Sequence, residues 1–145
     1  MASHALLPSS HIDTFVRTQL PPPAQWPTFN FDRPELAYPA QLNVSTELVD
    51  VHVAQGHGTN PALHGHNGTA AFTWSYAELQ QYVDQIAHVL TQDMGLLPGN
   101  RLLLRGGNTP MMAACFLAGL KAGLVMVPTM PLLREAELRP VIEKA

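Results

Sequence analysis

Three histidines, His57, His64 and His66, stand close together in the sequence. Imidazole binds zinc, and His64 and His66 would share one face of a strand. Zinc centres need three or four ligands in a closed set. No cysteine or carboxylate stands near these histidines, so solvated hairpin histidines are the expectation. Ser10-His11-Ile12-Asp13 carries the residue types of a nucleophile, a base and an orienting acid. A triad is a spatial arrangement, and neighbours on a short helix scatter their side chains. Asp84 and Asp93 lie too far apart on a helix for paired-carboxylate chemistry. Cys115 is the sole cysteine, which rules out a disulfide within the chain. Its apolar surroundings suit a small hydrophobe better than a reactive thiol. Arg105-Gly106-Gly107-Asn108-Thr109 joins a strand to a helix, where backbone N–H groups can meet an anion. It matches neither the dinucleotide fingerprint nor the Walker A pattern with its lysine, and reads as a tight turn with a helix cap.

The elements that hold these residues can be read from spacing. Seven of the thirteen prolines fall in residues 1–40 and every glycine lies from Gly56 onward, which sets off a Pro-rich arm over 1–40 from a body over 41–145. Ile12, Phe15, Val16 and Leu20 fit one short amphipathic helix in the arm, with Trp26, Phe29, Phe31 and Tyr38 as apolar anchors after it. Val44, Leu48, Val51 and Ala54 or Gln55 predict a helix, capped by Asn43 or Ser45 and ended by Gly56. Asn67-Gly68 predicts a hairpin with a type I′ turn between strands 62–66 and 70–74. Ser75 and Glu78 have capping-box spacing, and Tyr76, Leu79, Val83, Ile86, Leu90 and Met94 then repeat at helical period. A βαβ unit follows: strand 101–105, a helix from Thr109-Pro110 to about Ala122 that is apolar on nearly every side, and buried strand 124–127. A further helix starts at Arg134. The fold class expected is α/β, a β-hairpin plus helix followed by a βαβ unit, with the sheet incomplete.

Composition narrows the function. Charged residues make up 13% of the chain, against about 25% in ordinary soluble domains. So few charges cover a complete surface poorly. The net charge of −3 and the scattered arginines leave no basic stripe, which excludes nucleic acid as a partner. The apolar run from Met111 to Val127 is broken by Lys121 and two glycines and bracketed by prolines, so it reads as a helix and a strand and not as a membrane span. No basic-then-apolar leader opens the chain, and a cytoplasmic location is the expectation.

Ser75-Tyr76-Ala77-Glu78-Leu79 resembles the first core motif of the adenylate-forming enzymes, and Leu120-Lys121-Ala122-Gly123-Leu124-Val125-Met126-Val127-Pro128 resembles their second. Leu97-Pro98-Gly99-Asn100-Arg101 and Asn108 stand between them at the expected places, and the resemblance covers roughly residues 41–145. Within that superfamily the arm around Pro21–Trp26, the Arg105–Asn108 turn and the Pro128–Leu133 segment look most like aryl-CoA ligases of the benzoate or 2-aminobenzoate type.

The resemblance implies a ligase that joins a carboxylic acid, expected to be aromatic, to CoA through an acyl-adenylate, using ATP, magnesium and CoA. It implies that the Ser/Thr/Gly-rich phosphate loop and later catalytic motifs lie beyond the residues present here. The chain is therefore expected to be an N-terminal fragment, inactive alone, with no catalytic residue, no metal ligand and no cofactor of its own. Some CoA ligases carry a basic residue just after the second motif, near the CoA nucleotide. Leu132 stands at that place and Arg134 two positions on, which makes Arg134 the CoA-binding candidate. The alternative is a non-enzymatic interaction or oligomerisation module, using the apolar helix 111–122 and the unpaired sheet edge for self-association. A small nucleotide-binding domain built on Gly106-Gly107 is a third reading.

Overall fold

A computed structural model describes residues 7–28 and 33–145. Phe29 and Phe31, two of the expected arm anchors, lie outside the described residues. The arm contains one short helix, α1 (Phe15–Thr18), and two 3₁₀ turns that begin at prolines, Pro23–Gln25 and Pro34–Leu36. Trp26 is half-buried and donates its indole N–H back to the Pro21 carbonyl at 2.7 Å, while Tyr38 is exposed.

The helix expected after residue 43 forms over 44–57, but it contains two wide π turns, Thr46–Asp50 and Val53–His57. Asn43 caps it, its side-chain oxygen accepting from the Ser45 and Thr46 N–H groups at 3.1 and 3.3 Å. Gly56, at φ +84°, closes it. The buried side differs from the expected one. Val49 is 1% exposed, whereas Leu48 is 53% exposed and Val44 also faces out. The apolar residues of this segment do not follow a single 3.6-residue stripe, so equal spacing selected the wrong face.

Strands β1 (Pro61–His66) and β2 (Ala71–Ser75) pair antiparallel, with His66 opposite Ala71 and a register shift between Pro61 and Leu63. The loop thus has four residues, and no described residue other than glycine has positive φ, so the turn is not type I′. Instead the Asn67 side chain accepts from the N–H groups of Thr69 and Ala70, at 3.0 and 2.9 Å, and only Gly68 is left-handed. An Asx turn supplies the reversal that a left-handed Asn would otherwise provide.

The capping box starts α2 (Tyr76–His88). The Ser75 hydroxyl accepts from the Glu78 N–H at 3.3 Å, and the Glu78 carboxylate accepts from the Ser75 N–H at 2.8 Å. That backbone donor, then the Ser75 hydroxyl, holds the Glu78 carboxyl below its ordinary pKa. A π turn (Val89–Asp93) extends the helix and Gly95, at φ +66°, follows it; Met94 is exposed although the helical period included it.

Strand β3 (Arg101–Arg105), helix α3 (Pro110–Lys121) and strand β4 (Val125–Thr129) make the expected βαβ unit. The strands are parallel, in register from Arg101 beside Val125 to Arg105 beside Thr129. Thr109 caps α3, accepting from the Met112 N–H at 3.2 Å, with Pro110 in the first turn. Helix α4 (Glu135–Lys144) closes the chain. Two two-stranded sheets result, β1–β2 and β3–β4, in a mixed α/β arrangement. The core is one cluster: Val49, Leu79, Val83, Leu90, Ala114, Ala118 and Leu124. It lies where the π-helical segment, α2 and α3 meet. Of α3, only Ala114, Ala118 and Gly119 are fully buried, and Met111 is exposed, so an apolar circumference does not mean burial on every side. Among the described residues no helix is long and apolar enough to cross a membrane.

Candidate functional site

Lys121 ties the second motif to the helix that the first motif begins. It is the last residue of α3, and its side chain is about one-quarter exposed. Its ammonium donates to Asp50 Oδ1 at 2.9 Å and to Asp84 Oδ1. Gln80, on α2, donates to the same Asp50 oxygen at 2.9 Å. Lys121 therefore ties α3 to the π-helical segment and to α2. Its main chain is held as well, because its carbonyl accepts from Asn43 Nδ2 at 3.0 Å.

Burial disfavours the charge on both Lys121 and Asp50, but their partners outweigh it. The Asp84 and Asp50 bonds hold the Lys121 pKa above its ordinary value, and the Gln80 and Lys121 bonds hold Asp50 below its own. A lysine kept charged between two carboxylates has no free electron pair, so it serves here as a cationic strut and not as a nucleophile or base. Sequence reasoning singled out neither Lys121 nor Asp50 for this role. Asp50 is 71 positions away and Asp84 is 37, and nothing local marks the pairing. The one available signal was a single lysine inside an apolar stretch, since a lysine there needs partners.

The other sequence candidates separate. His64 bonds Thr73 across the hairpin at 2.9 Å, His66 Nδ1 accepts from the Gly68 N–H at 3.0 Å, and the His57 ring lies 6.3 Å from that of His52. Among the described residues no three His, Cys, Asp or Glu side chains come together to hold a metal. Asp13 turns toward Asn100, at 2.9 Å, and toward Arg101, with which it forms an ion pair. Its carboxyl is held below the ordinary pKa by the Phe15 N–H, then by Asn100 and Arg101, and burial only partly offsets them. Asp84 pairs with Lys121, which it shares with Asp50, so the two carboxylates are bridged by a cation and do not form an acid dyad. Cys115 is a free, half-buried thiol.

Arg105 does not reach outward from the Gly106-Gly107 turn. Its guanidinium donates to the Pro131 and Leu133 carbonyls, each at 2.7 Å, and pins the loop after β4. Arg134 stands at the cap of α4, where its N–H donates to the Glu137 carboxylate at 2.8 Å. It lines an open hollow of about 600 Å³ with Arg105, Leu132, Leu138 and Arg139. Arg139 in that hollow is paired with Glu135 at 2.6 Å.

Comparison with known proteins fits this geometry. A family model described as AMP-binding enzyme matches residues 51–145. The chain is 28% identical over 141 residues to a mitochondrial acyl-coenzyme A synthetase of Rattus norvegicus, covering 90% of this chain and 24% of that protein. It is 30% identical over 113 residues to an uncharacterized acyl–CoA ligase of Bacillus subtilis, covering 78% and 21%. Among solved structures, a fatty acid AMP ligase from Legionella pneumophila superposes with a TM-score of 0.58 at 25% identity, over 70% of this chain and 18% of that one. The chain spans about a quarter or less of the length of each.

Proposed function

Since the chain belongs to the AMP-binding enzyme family, we propose that it is scaffold for an ATP-dependent acid–thiol ligase and is inactive alone. The whole enzyme would convert a carboxylate, ATP and CoA to an acyl-CoA, AMP and diphosphate. The observation that carries this reading is Lys121 of the second motif, at the end of α3, bound to Asp84 on the helix that the first motif caps and to Asp50 on the π-helical segment. That junction positions elements and presents nothing to a substrate.

The residues present do not fit ATP and magnesium. A triphosphate needs several converging N–H groups and a cation. The Gly106-Gly107 turn is the one glycine-rich approach to a helix in the sequence, and its arginine is spent on two carbonyls. Asp50 and Asp84 converge, but both are bound to Lys121, whose positive charge opposes magnesium there. For CoA, Arg134 is the proposed contact, supported by its place on the hollow beside α4.

The acid is proposed to be aromatic, of the benzoate or 2-aminobenzoate kind, supported by the sequence of the Pro21–Trp26, Arg105–Asn108 and Pro128–Leu133 segments. The test is thioester formation with ATP, CoA and benzoate, 2-aminobenzoate or a fatty acid. The assay compares the 145-residue chain with one extended through the downstream reading frame. The expected result is no product from the chain alone and aromatic thioesters from the extended chain. Turnover by the chain alone would refute the scaffold reading, and preference for the fatty acid would refute the aromatic one.

One observation favours a second reading, association through an apolar face. A groove of about 840 Å³ runs between the π-helical segment and α3, with Val44, Leu48, Phe116 and Leu117 among its walls. Such a surface is a protein-interaction face when left uncovered.

A further inference from the structure

We propose that residues 9–18 form a strap that clips over the turn before β3 and lifts from the α/β core as one unit, uncovering the hollow behind it. The turn is a hub. The Gly99 N–H donates to the Gly123 carbonyl at 2.8 Å, and the Val125 N–H donates to the Asn100 carbonyl at 2.9 Å, so the turn starts the β3–β4 pairing. The strap sits on its other side. The Ile12 and Asp13 N–H groups both donate to the Pro98 carbonyl, at 2.9 and 3.0 Å. The Asp13 carboxylate accepts from Asn100 and Arg101, and the Phe15 ring lies 4.6 Å from the Arg101 guanidinium.

Gly99 is shaped to this contact. It has φ +94°, and a Cβ there would run into the Asp13 carbonyl. Only glycine allows both the turn and the close approach of the strap.

What holds the strap is polar, and this is why it can lift. No residue of α1 is buried, Ile12 is 66% exposed, and the buried core contains no residue from the strap. Opening therefore breaks hydrogen bonds and the Asp13–Arg101 ion pair and withdraws no residue from the core, the signature of a local, low-cost unfolding unit. The hollow it walls, about 600 Å³, has Pro8–His11 on one side and Ala40–Val44 with Leu120 and Leu124 on the other. The strap thus covers the end of α3 and the approach to β4.

Hydrogen exchange on the full chain, read by mass spectrometry on peptides covering 9–20, α2 and α3, tests this. In the wild type the 9–20 peptide should show slowed exchange at its bonded amides. Asp13→Ala removes the carboxylate and Gly99→Ala pushes the strap off without changing charge. Each should raise exchange in 9–20 by about tenfold or more, the loss expected for charge-assisted bonds, with α2 and α3 unchanged. Free-peptide exchange of 9–20 in the wild type, or no response in either variant, overturns the proposal. So does loss of protection in α2 and α3 together with 9–20 in Asp13→Ala, which leaves the Gly99 turn intact, because the segment would then be part of the core and not a strap.

Discussion

At the scale of single residues, Lys121 and Ser45 carry opposite expectations. Lys121 and Asp50 are mostly withdrawn from water, and each is matched to the other. Replacing Lys121 with methionine keeps the stem but leaves Asp50 with uncharged partners, Gln80 and Thr46. The expected loss is about 2 kcal/mol, because a shielded carboxylate loses its counter-charge. Urea unfolding followed by circular dichroism measures it, and a loss below the error of that method would remove Lys121 from the role of strut. The pH dependence follows from the same pair. Asp50 titrates below its ordinary 3.8 in the folded chain, so its contribution is full above that value and fades as pH falls through the lowered one. Lys121 titrates above its ordinary 10.5, so its contribution is full below that value and fades as pH rises through the raised one. Both are intact at neutral pH, and Asp50→Asn should flatten the acid limb of the stability profile relative to wild type. Ser45 is the reverse case. It is fully buried, and its hydroxyl has no hydrogen-bond partner among the described residues. Ser45→Ala removes an unpaired polar group from the core and is expected to be neutral or to stabilise by up to about 1 kcal/mol. A clear loss of stability in the same unfolding assay would show that the hydroxyl is satisfied in solution.

At the scale of elements, the contact of α3 with the β3–β4 sheet depends on Gly119. A Cβ at this buried position would press on the Met126 side chain and approach Leu102 Cδ2 at 3.1 Å. Gly119→Ala gains up to about 1 kcal/mol of helix propensity, which offsets part of the crowding because Met126 is flexible. Gly119→Val adds branches with nowhere to go, and it should cost about 1–3 kcal/mol net. Adding Met126→Ala should recover most of that loss, and thermal unfolding of the three variants checks the order. The same elements show what could be read from sequence. Helix α2, the βαβ unit and the caps at Ser75 and Thr109 were legible because each signal is local: a cap three residues from its partner, a proline at the first turn, a glycine after the last. The face of 44–57 was not, since the wide π turns change the period on which the reading relied. The hairpin was found at the right place with the wrong turn, because the Asn67 side chain does the work assigned to its backbone. The Lys121 strut and the Asp13 clip were illegible for another reason. They join residues 37 to 88 positions apart, and only the folded chain brings them together.

At the scale of the whole molecule, the balance of apolar and charged surface makes association the property to test. Charged residues are sparse, and the exposed large hydrophobics include Val44 and Leu48 on the groove beside α3 and Met111 at its start. The two sheets have two strands each, so among the described residues β3 and β4 each pair on one side only. An apolar groove next to unpaired strand edges favours contact with another chain, since burial of that surface is favourable and backbone groups remain to be paired. The isolated chain is therefore expected to associate with itself as concentration rises, seen as a growing mass by light scattering after size exclusion. Substituting Val44 and Leu48 together with lysine places two charges on the groove. Both side chains already face solvent, so stability should change by no more than about 0.5 kcal/mol per site. If the groove drives association, the double variant stays smaller than wild type across the same concentration series while its circular dichroism is unchanged. If instead the strand edges drive it, the double variant associates as before, and a proline placed at an edge position of β4 should reduce the mass where the lysines did not. A wild-type chain that remains a monomer throughout would exclude both routes and leave the apolar face without a role in self-association.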